Sequence, residues 1–353
     1  MTPKGIKLMG AITAIVVLGA GYSLNANRAG SGDEISGAVF PDLIEKINSI
    51  NKVSIEQRDK TFTMVRDGKG KWSLNESDGY AVSAKAAEKV VVQLADLNYY
   101  ETKTKKPDLY ARLHVENPKE KESQARQIQL FDSTGKKRVD LIAGRKRHNL
   151  VGVRKQGVYI RKPGNDQTWL AAGELSVGVK PSGWLARKIV DIKEKDVLRA
   201  TLTHHDGEVI QVSKEDPKAR NFTLHGIPSG KELEYATDPD NIAAVVDQLE
   251  LDDVRKAGYV DFANGKTALA EFVTRDSLQV RFRIVEKDGA QWVDVEALAI
   301  HGAPASKDGK RAEERAKEIN ARVKGWVYQL PSFKGSRLKR RMAEMLKDKK
   351  PKS

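Results

Sequence analysis

The hydrophobic pattern of the chain begins with one uncharged run, Leu8–Leu24, which lies directly behind Lys4 and Lys7. As a helix, these seventeen residues would span roughly 25 Å, the short end of a membrane crossing. The run therefore predicts a transmembrane anchor. Because the positive residues flank its N-terminal end, we expect the N-terminus in the cytoplasm and about 325 residues on the other side of the membrane. In a Gram-negative cell that space is the periplasm.

A cleaved secretory signal is the alternative interpretation of the same run. It would use Leu8–Leu18 as its apolar region and Gly19–Gly21 as a small-x-small cleavage site. However, the uncharged character continues through Tyr22 and Leu24, and the A-x-A pattern is missing. We therefore favour an anchor that is not cleaved.

Behind a short tether, the pattern predicts a first unit of strands and helices. Apolar residues recur at helical spacing from Phe40 to Ile50, and apolar and polar residues alternate around Val53 and Phe62. Asp67–Gly70 is typical of a hairpin turn. Ser83 is placed to cap a strong amphipathic helix, and strand-like runs follow it at 128–131, 139–142, 150–153 and 158–161.

The second half of the chain repeats this plan. Asp238 is placed to cap a helix that has Pro239 at its first position, and strand-like runs lie at 197–202, 209–212, 222–224, 268–272, 278–284 and 291–295. At one offset of 155, without a gap, Tyr80, Ser83, Val90 and Gln93 match Tyr235, Asp238, Val245 and Gln248. We infer a tandem repeat. The alternative is the loose alignment that any two strand–strand–helix units would give.

The C-terminal segment has a different pattern. Apolar residues from Ala312 to Leu330 recur at alternating steps of three and four, which predicts one helix that Pro331 ends. Ser336 is placed to cap a second helix, which carries Leu338 and Met345. These helices either pack on their own domain or dock on a partner or a membrane surface.

Charge adds a feature to this segment. The chain has 62 Lys and Arg against 48 Asp and Glu, a net charge of +14. From Gly302 onward there are sixteen basic and six acidic residues, so the folded middle is nearly balanced. We expect a basic tail that meets anionic lipid or an acidic protein surface, and no nucleic-acid partner. The absence of cysteine excludes disulfides, thiol nucleophiles and cysteine-ligated metals.

No motif in the sequence specifies a reaction. His204 and His205 are adjacent, so on a strand they would face opposite sides, and the other histidines have no metal-ligand spacing. Gly68–Lys71 lacks the first glycine of a phosphate loop, which favours a hairpin turn. The five tryptophans lie in strand or helix patterns and are expected in the core. The sequence assigns no catalytic, cofactor-binding or metal-ligating residue, no cofactor and no enzymatic activity.

A family resemblance rests on several dispersed motifs. They are the Phe-Pro-x-Leu helix start at Phe40–Leu43, the Gly-Tyr-Ala lead at Gly79–Ala81, the Lys-Pro-Asp-Leu-Tyr turn from Lys106 and the close at Ile319–Pro331. With Trp72, they resemble the bacterial family called domain of unknown function 4340, over about Val39–Met345. The resemblance implies a membrane-anchored accessory protein beside ABC transporters of the gliding-motility type, and it implies no catalytic residue.

Together these observations predict an α+β protein with an N-terminal transmembrane helix, two tandem antiparallel-sheet-plus-helix units and a C-terminal helical tail. The expected segments are a cytoplasmic stub and anchor (1–27), a tether (28–38), two units (39–190 and 191–301) and the basic tail (302–353). The expected function is that of a single-pass inner-membrane protein that binds or scaffolds an ABC-type transport system. The alternative is an anchored enzyme or binder that acts on envelope glycans or other envelope polymers.

Overall fold

The computed structural model describes residues 37–153, 155–178, 180–214, 216, 219–263, 266–300 and 310–349. The predicted anchor, Leu8–Leu24, lies outside the described residues. None of the helices within these ranges has both the length and the apolar character that crossing a membrane requires. The fold is α+β with mostly antiparallel sheets, as predicted. It divides into two compact units, one that ends at Leu185 and one that begins at Ala186.

The first unit contains a ten-stranded antiparallel sheet. Its strands are β1 (Gly37–Ala38), β2 (Ile50–Gln57), β3 (Lys60–Arg66), β4 (Trp72–Leu74), β5 (Tyr80–Ala81), β6 (Asn98–Thr102), β7 (Arg126–Asp132), β8 (Lys137–Arg147), β9 (Gly157–Arg161) and β10 (Thr168–Ala172). The spatial order is β1-β6-β10-β9-β8-β7-β2-β3-β4-β5. Among the described residues of this unit, the helices are α1 (Leu43–Lys46), α2 (Ala84–Ala95) and α3 (Tyr110–Leu113).

Helix α2 follows the predicted amphipathic pattern. Ala87, Val90 and Leu94 are buried, and Leu97 just beyond the helix is also buried. Ser83 stands at the N-cap in extended conformation, but its side chain makes no capping hydrogen bond. The stability of this helix therefore comes from packing of its apolar face rather than from a cap.

A second small core lies under the connection between β6 and β7. Tyr110 and Val115 from this connection pack with Ile142, Tyr159 and other buried side chains of the sheet. The Tyr110 hydroxyl donates to the Asp166 carbonyl at 2.6 Å. A side chain at Gly144 would come within 2.3 Å of the Leu113 carbonyl oxygen, so glycine allows the connection to lie close on β8.

The second unit contains an eight-stranded sheet with the order β14-β13-β12-β18-β19-β20-β21-β17 and two two-stranded sheets, β11-β16 and β15-β22. The strands are β11 (Lys188–Val190), β12 (Val197–Thr203), β13 (Val209–Ser213), β14 (Thr223–Leu224), β15 (Lys231–Leu233), β16 (Leu249–Glu250), β17 (Asp253–Lys256), β18 (Ala268–Thr274), β19 (Leu278–Lys287), β20 (Ala290–Ala299), β21 (Trp326–Gln329) and β22 (Leu346–Asp348). Its helices are α4 (Asp238–Ala243), α5 (Ala312–Val323), α6 (Ser332–Leu338) and α7 (Met342–Met345).

The two units share one strand order. Read from β6, the first sheet runs β6-β10-β9-β8-β7-β2-β3-β4, and the second runs β17-β21-β20-β19-β18-β12-β13-β14. Corresponding strands also come in the same order along the chain, and β6 and β17 begin 155 residues apart. In the second unit too, the connection after β17 supplies a small core, in which Val260 packs with Val285, Trp292 and Val327. This common topology is what two copies of one folding plan would produce.

Several expected helices and strands differ from the structure. The helix expected from Ala312 to Leu330 ends at Val323, and Trp326–Gln329 forms strand β21 between β20 and β17. The spacing of apolar residues in this stretch fits a helix or a strand. The strand is favoured because pairing with β20 and β17 buries Tyr328 completely. The expected strand at 150–153 is only an isolated bridge.

The helix expected after Asp238 is also shorter than its pattern. Thr237 occupies the N-cap, Asp238 is the first helical residue, and α4 ends at Ala243 with a 3₁₀ turn behind it. Leu249 then begins β16, which pairs with β11. Leu249, which the periodicity assigned to the last helical turn, therefore lies in a strand, because pairing with β11 outweighs local helix propensity.

Candidate functional site

The residues that the sequence singled out do not form one site. His204 is buried, with Nε2 2.9 Å from the Arg340 carbonyl oxygen, whereas Nε2 of His225 lies 2.6 Å from the Ser213 hydroxyl. Over the described part of the chain, no group of three or more histidine, aspartate or glutamate side chains could hold a metal ion. His204 and His225 therefore have separate local partners.

Gly68–Lys71 forms the turn between β3 and β4, as the hairpin interpretation predicted. Asp67 Oδ1 accepts hydrogen bonds from the backbone N–H groups of Lys71 and Lys69, at 2.8 and 2.9 Å. These donors, Lys71 first, hold the pKa of the Asp67 carboxyl below its usual range. The Asp67 side chain thus satisfies two backbone N–H groups of its own turn. Of the five tryptophans, Trp72, Trp169, Trp184 and Trp292 are buried in the core.

The second unit contains a cleft of about 810 Å³ between its sheet and its C-terminal helices. We call it the polar cleft and define it by its lining: Asp238, Asn241, Ile242, Asp252, Gly289, Ala290, Gln291, Gln329, Leu330, Ser332, Phe333, Ser336, Arg337, Lys339, Arg340 and Glu344. Helix α4 and the β21 end form one side, and the segment carrying α6 and α7 forms the other. This segment follows β21, the last strand that has a counterpart in the strand order of the first unit. The cleft therefore includes elements that come after the common strand order.

A buried lysine fixes α6 against α4. Lys334 is 7% exposed, and its ammonium donates to the carbonyls of Ala244, Val245 and Asp247 at 2.8, 2.9 and 2.9 Å. These carbonyls lie just past the end of α4, where a positive charge is favourable. Burial lowers the pKa of Lys334 from its ordinary value. The three bonds hold the two sides of the polar cleft together.

An arginine anchors the other end of this wall. Arg341 Nη1 contacts Asp206 Oδ2 at 2.7 Å and Glu208 Oε2 at 2.6 Å, and Glu208 Oε1 accepts from the Met342 N–H at 2.8 Å. Burial raises the pKa of Glu208, but the hydrogen bonds from Arg341 and Met342 outweigh it and leave the pKa lowered. Glu208 is therefore held as an ionised partner, and α7 is fixed to the turn between β12 and β13.

Asp238 lies in the polar cleft with an incompletely satisfied carboxylate. It is 5% exposed. Its Oδ1 lies 3.7 Å from Arg340 Nη2, which is too long for a hydrogen bond. Its Oδ2 has no hydrogen-bond partner among the described residues. Oδ2 is also shielded from solvent, so a bound molecule would meet this side chain through its small exposed part, beside Arg340.

Phe333 gives the polar cleft an exposed aromatic face. The residue is 59% exposed, and the Arg337 guanidinium carbon lies 6.0 Å from its ring centroid. Asn241, Gln291 and Gln329 contribute amides to the same lining. The cleft thus combines one apolar platform with several donors and acceptors, a combination typical of sites for polar ligands with an apolar face.

The comparison with protein families adds an assignment. A family model described as "Domain of unknown function (DUF4340)" matches residues 72–271. The chain belongs to this family. The resemblance drawn from the sequence is thereby confirmed, over a match that runs from β4 to β18. The same comparisons found no similar curated protein and no similar solved structure.

In this DUF4340 protein, the polar cleft combines residues inside and outside the family match. Asp238, Asn241 and Asp252 lie within the matched range, whereas Phe333 and Arg340 lie beyond it. Sequence reasoning missed all five as site residues, because Asp238 was interpreted as a helix cap and the last two as part of a basic tail. The one available signal was an aromatic residue, Phe333, placed among polar and basic residues just after Pro331.

Proposed function

We propose that this DUF4340 protein is a membrane-anchored extracytoplasmic binding and scaffold protein without catalytic activity, and an accessory component of an ABC-type transport system. The observation that carries the proposal is the uncharged run Leu8–Leu24 behind Lys4 and Lys7, ahead of a chain that is long enough for two folded units. The run would place the protein in the bacterial inner membrane, with its N-terminus in the cytoplasm. The transporter association rests on the family resemblance.

Anchoring supplies a physical reason for a scaffold role. A protein fixed to the membrane meets membrane partners in two dimensions, so its effective concentration is high and weak contacts suffice. The partners would be lipid around the anchor and the subunits of the transporter.

The surfaces available for such contacts are the sheet faces rather than the sheet edges. Of the four edge strands of the two large sheets, β1, β5 and β14 have two residues each and β17 has four, which leaves little backbone for strand addition. One face of the second sheet carries a charged ladder, in which Arg281 Nε donates to Glu271 at 2.7 Å and Arg283 Nε donates to Asp294 at 3.0 Å. A charged face of this kind suits a selective and salt-sensitive contact.

Much of the C-terminal basic charge is engaged inside the unit. Arg315 pairs with Asp276, Lys339 with Glu286, and Arg341 with Asp206 and Glu208. Contact of this segment with anionic lipid or an acidic protein surface would therefore use its remaining exposed lysines and arginines. Such contacts are expected to be weak at physiological salt.

The test is affinity purification of the tagged full-length chain in mild detergent, with identification of the proteins that accompany it. We expect stoichiometric membrane and ATPase subunits of one transporter. Exchange of residues 1–27 for a cleavable secretory signal should release the folded part and lose these subunits. A full-length chain that elutes alone, at its own mass, would refute the accessory role.

A charge-reversal pair refines the test. Arg281→Glu with Arg283→Glu should weaken co-purification if the charged ladder is the contact. Lys69→Glu with Lys71→Glu, on an exposed hairpin turn of the first unit, is the matched control and should leave it unchanged.

The alternative, an anchored protein that acts on envelope glycans or other envelope polymers, is favoured by a different observation. It requires a concave site with carboxylates or aromatic side chains that converge, and Asp238 and Phe333 both line the polar cleft. Of its two forms, we propose the binder.

A further inference from the structure

The balance of charge around the polar cleft limits which ligands fit. Asp238, Asp252 and Glu344 contribute three carboxylates to the lining, and Arg337, Lys339 and Arg340 contribute three cations. The two sets compensate each other, so the cleft attracts neither a strongly anionic nor a strongly cationic group. A neutral ligand with many hydrogen-bonding groups fits this environment best.

The buried carboxylate of Asp238 specifies a donor on that ligand. Its Oδ2 has no hydrogen-bond partner among the described residues, and its Oδ1 is 3.7 Å from Arg340 Nη2. Oδ2 itself is shielded from solvent, so a ligand reaches Asp238 through the 7% of its side chain that is exposed. A ligand hydroxyl is both a donor and an acceptor, so one hydroxyl can donate to Asp238 and accept from Arg340.

The exposed ring of Phe333 specifies an apolar face on the same ligand. An aromatic side chain that is 59% exposed leaves apolar area in water, which a ligand face would cover. Asn241, Gln291 and Gln329 provide further amide donors and acceptors in the lining. A molecule with one apolar face and hydroxyl groups at its edge meets both requirements, and a sugar ring has this form.

We propose that the polar cleft of the second unit is a binding site for a neutral saccharide, with Phe333 as the platform on which a sugar ring stacks and Asp238 and Arg340 as partners of its hydroxyl groups. Lys334 and Arg341 are positioning residues that hold α6 and α7 in place. Saccharide binding at this cleft does not depend on a transporter, so the proposal goes beyond the scaffold role. It also gives the alternative function, a binder of envelope polymers, a ligand class and named residues.

The test uses isothermal titration calorimetry on the full-length chain in a detergent without a sugar headgroup, because a glycoside detergent would itself occupy the site. The probes are the neutral hexasaccharides of maltose, cellulose and chitin type, with sorbitol as an acyclic polyol and polygalacturonate as an anionic polymer. We expect at least one neutral hexasaccharide to bind, with an affinity that does not change between about 50 and 500 mM salt, a range that includes physiological ionic strength. Neither sorbitol nor polygalacturonate should bind comparably.

Variants connect this binding to the cleft. Phe333→Ala and Asp238→Asn should each weaken the affinity about tenfold or more, which corresponds to the loss of one stacking or hydrogen-bond contact. Phe333→Tyr keeps a platform and should retain binding. Tyr235→Ala is the matched control, because Tyr235 is also 59% exposed but does not line the cleft.

Two results would overturn the proposal. One is a wild-type chain that binds no neutral hexasaccharide, or that binds only polygalacturonate. The other is binding that Phe333→Ala leaves intact. Since Phe333 is a surface residue, its substitution tests the site even if Asp238→Asn impairs folding, which thermal unfolding of each variant would reveal. Transporter co-purification does not enter this assay, so either proposal can fail alone.

Discussion

At the scale of single residues, Lys334 illustrates how a charge can support a fold. Lys334→Met keeps the aliphatic stem but leaves the carbonyls of Ala244, Val245 and Asp247 without their donor. We expect the free energy of unfolding to fall by about 1–3 kcal/mol, the usual cost of unsatisfied buried polar groups. Urea denaturation of the full-length chain, followed by tryptophan fluorescence, measures this change.

Lys324→Met is the control for that measurement, because Lys324 is exposed on the same C-terminal segment. Its change in stability should stay within about 0.5 kcal/mol. Equal stability of both variants would mean that the three hydrogen bonds contribute nothing net, and that packing alone holds α6.

At the scale of elements, strand β21 makes the C-terminal segment part of the second sheet rather than a tail. It pairs with both β20 and β17, and its Tyr328 is fully buried. Truncation after Gly325 would remove this strand from inside the sheet and leave β17 without a partner strand. We expect loss of the cooperative unfolding transition of the second unit and aggregation, because apolar side chains and strand edges become exposed. Thermal unfolding followed by circular dichroism measures the transition.

Truncation after Arg340 is the comparison for this deletion. It removes α7 and β22 but leaves the eight-stranded sheet complete. The unfolding temperature should fall, since the Arg341 ion pairs and the pairing with β15 are lost, yet a cooperative transition should remain. If the Gly325 truncation behaves no worse, β21 is dispensable and the C-terminal segment acts as an appendage.

At the scale of the whole molecule, each unit has the sheet and buried apolar residues that an independent fold needs. We expect residues 37–185 and 186–349, expressed separately, each to give one cooperative unfolding transition. Buried Trp72, Trp169 and Trp184 report on the first fragment, and buried Trp292 reports on the second. A fragment that is unfolded alone but folded in the full-length chain would show that its stability depends on the other unit.

Local patterns predicted much of this fold. The amphipathic helix α2, the Asp67–Gly70 turn and most strands of both sheets were predicted, since each follows from periodicity or turn chemistry within a short window. Strand β21 and the shortened α4 were not, because their apolar residues fit two structures and pairing with distant strands selects between them. The polar cleft was not predictable either, since Asp238 and Phe333 are 95 positions apart in the chain.

The sequence by itself determined the α+β class, the repeated plan, the family and the expectation of an N-terminal anchor. The class, the repeated plan and the anchor follow from composition and from spacings that neighbouring residues carry, whereas the family follows from the resemblance of the dispersed motifs. The tertiary structure alone decided that the C-terminal segment completes the second sheet, that its cations pair with carboxylates on earlier strands and turns, and that one buried carboxylate lines a cleft. The physical reason is that burial and hydrogen-bond partners depend on which distant segments meet, and local periodicity does not encode that choice.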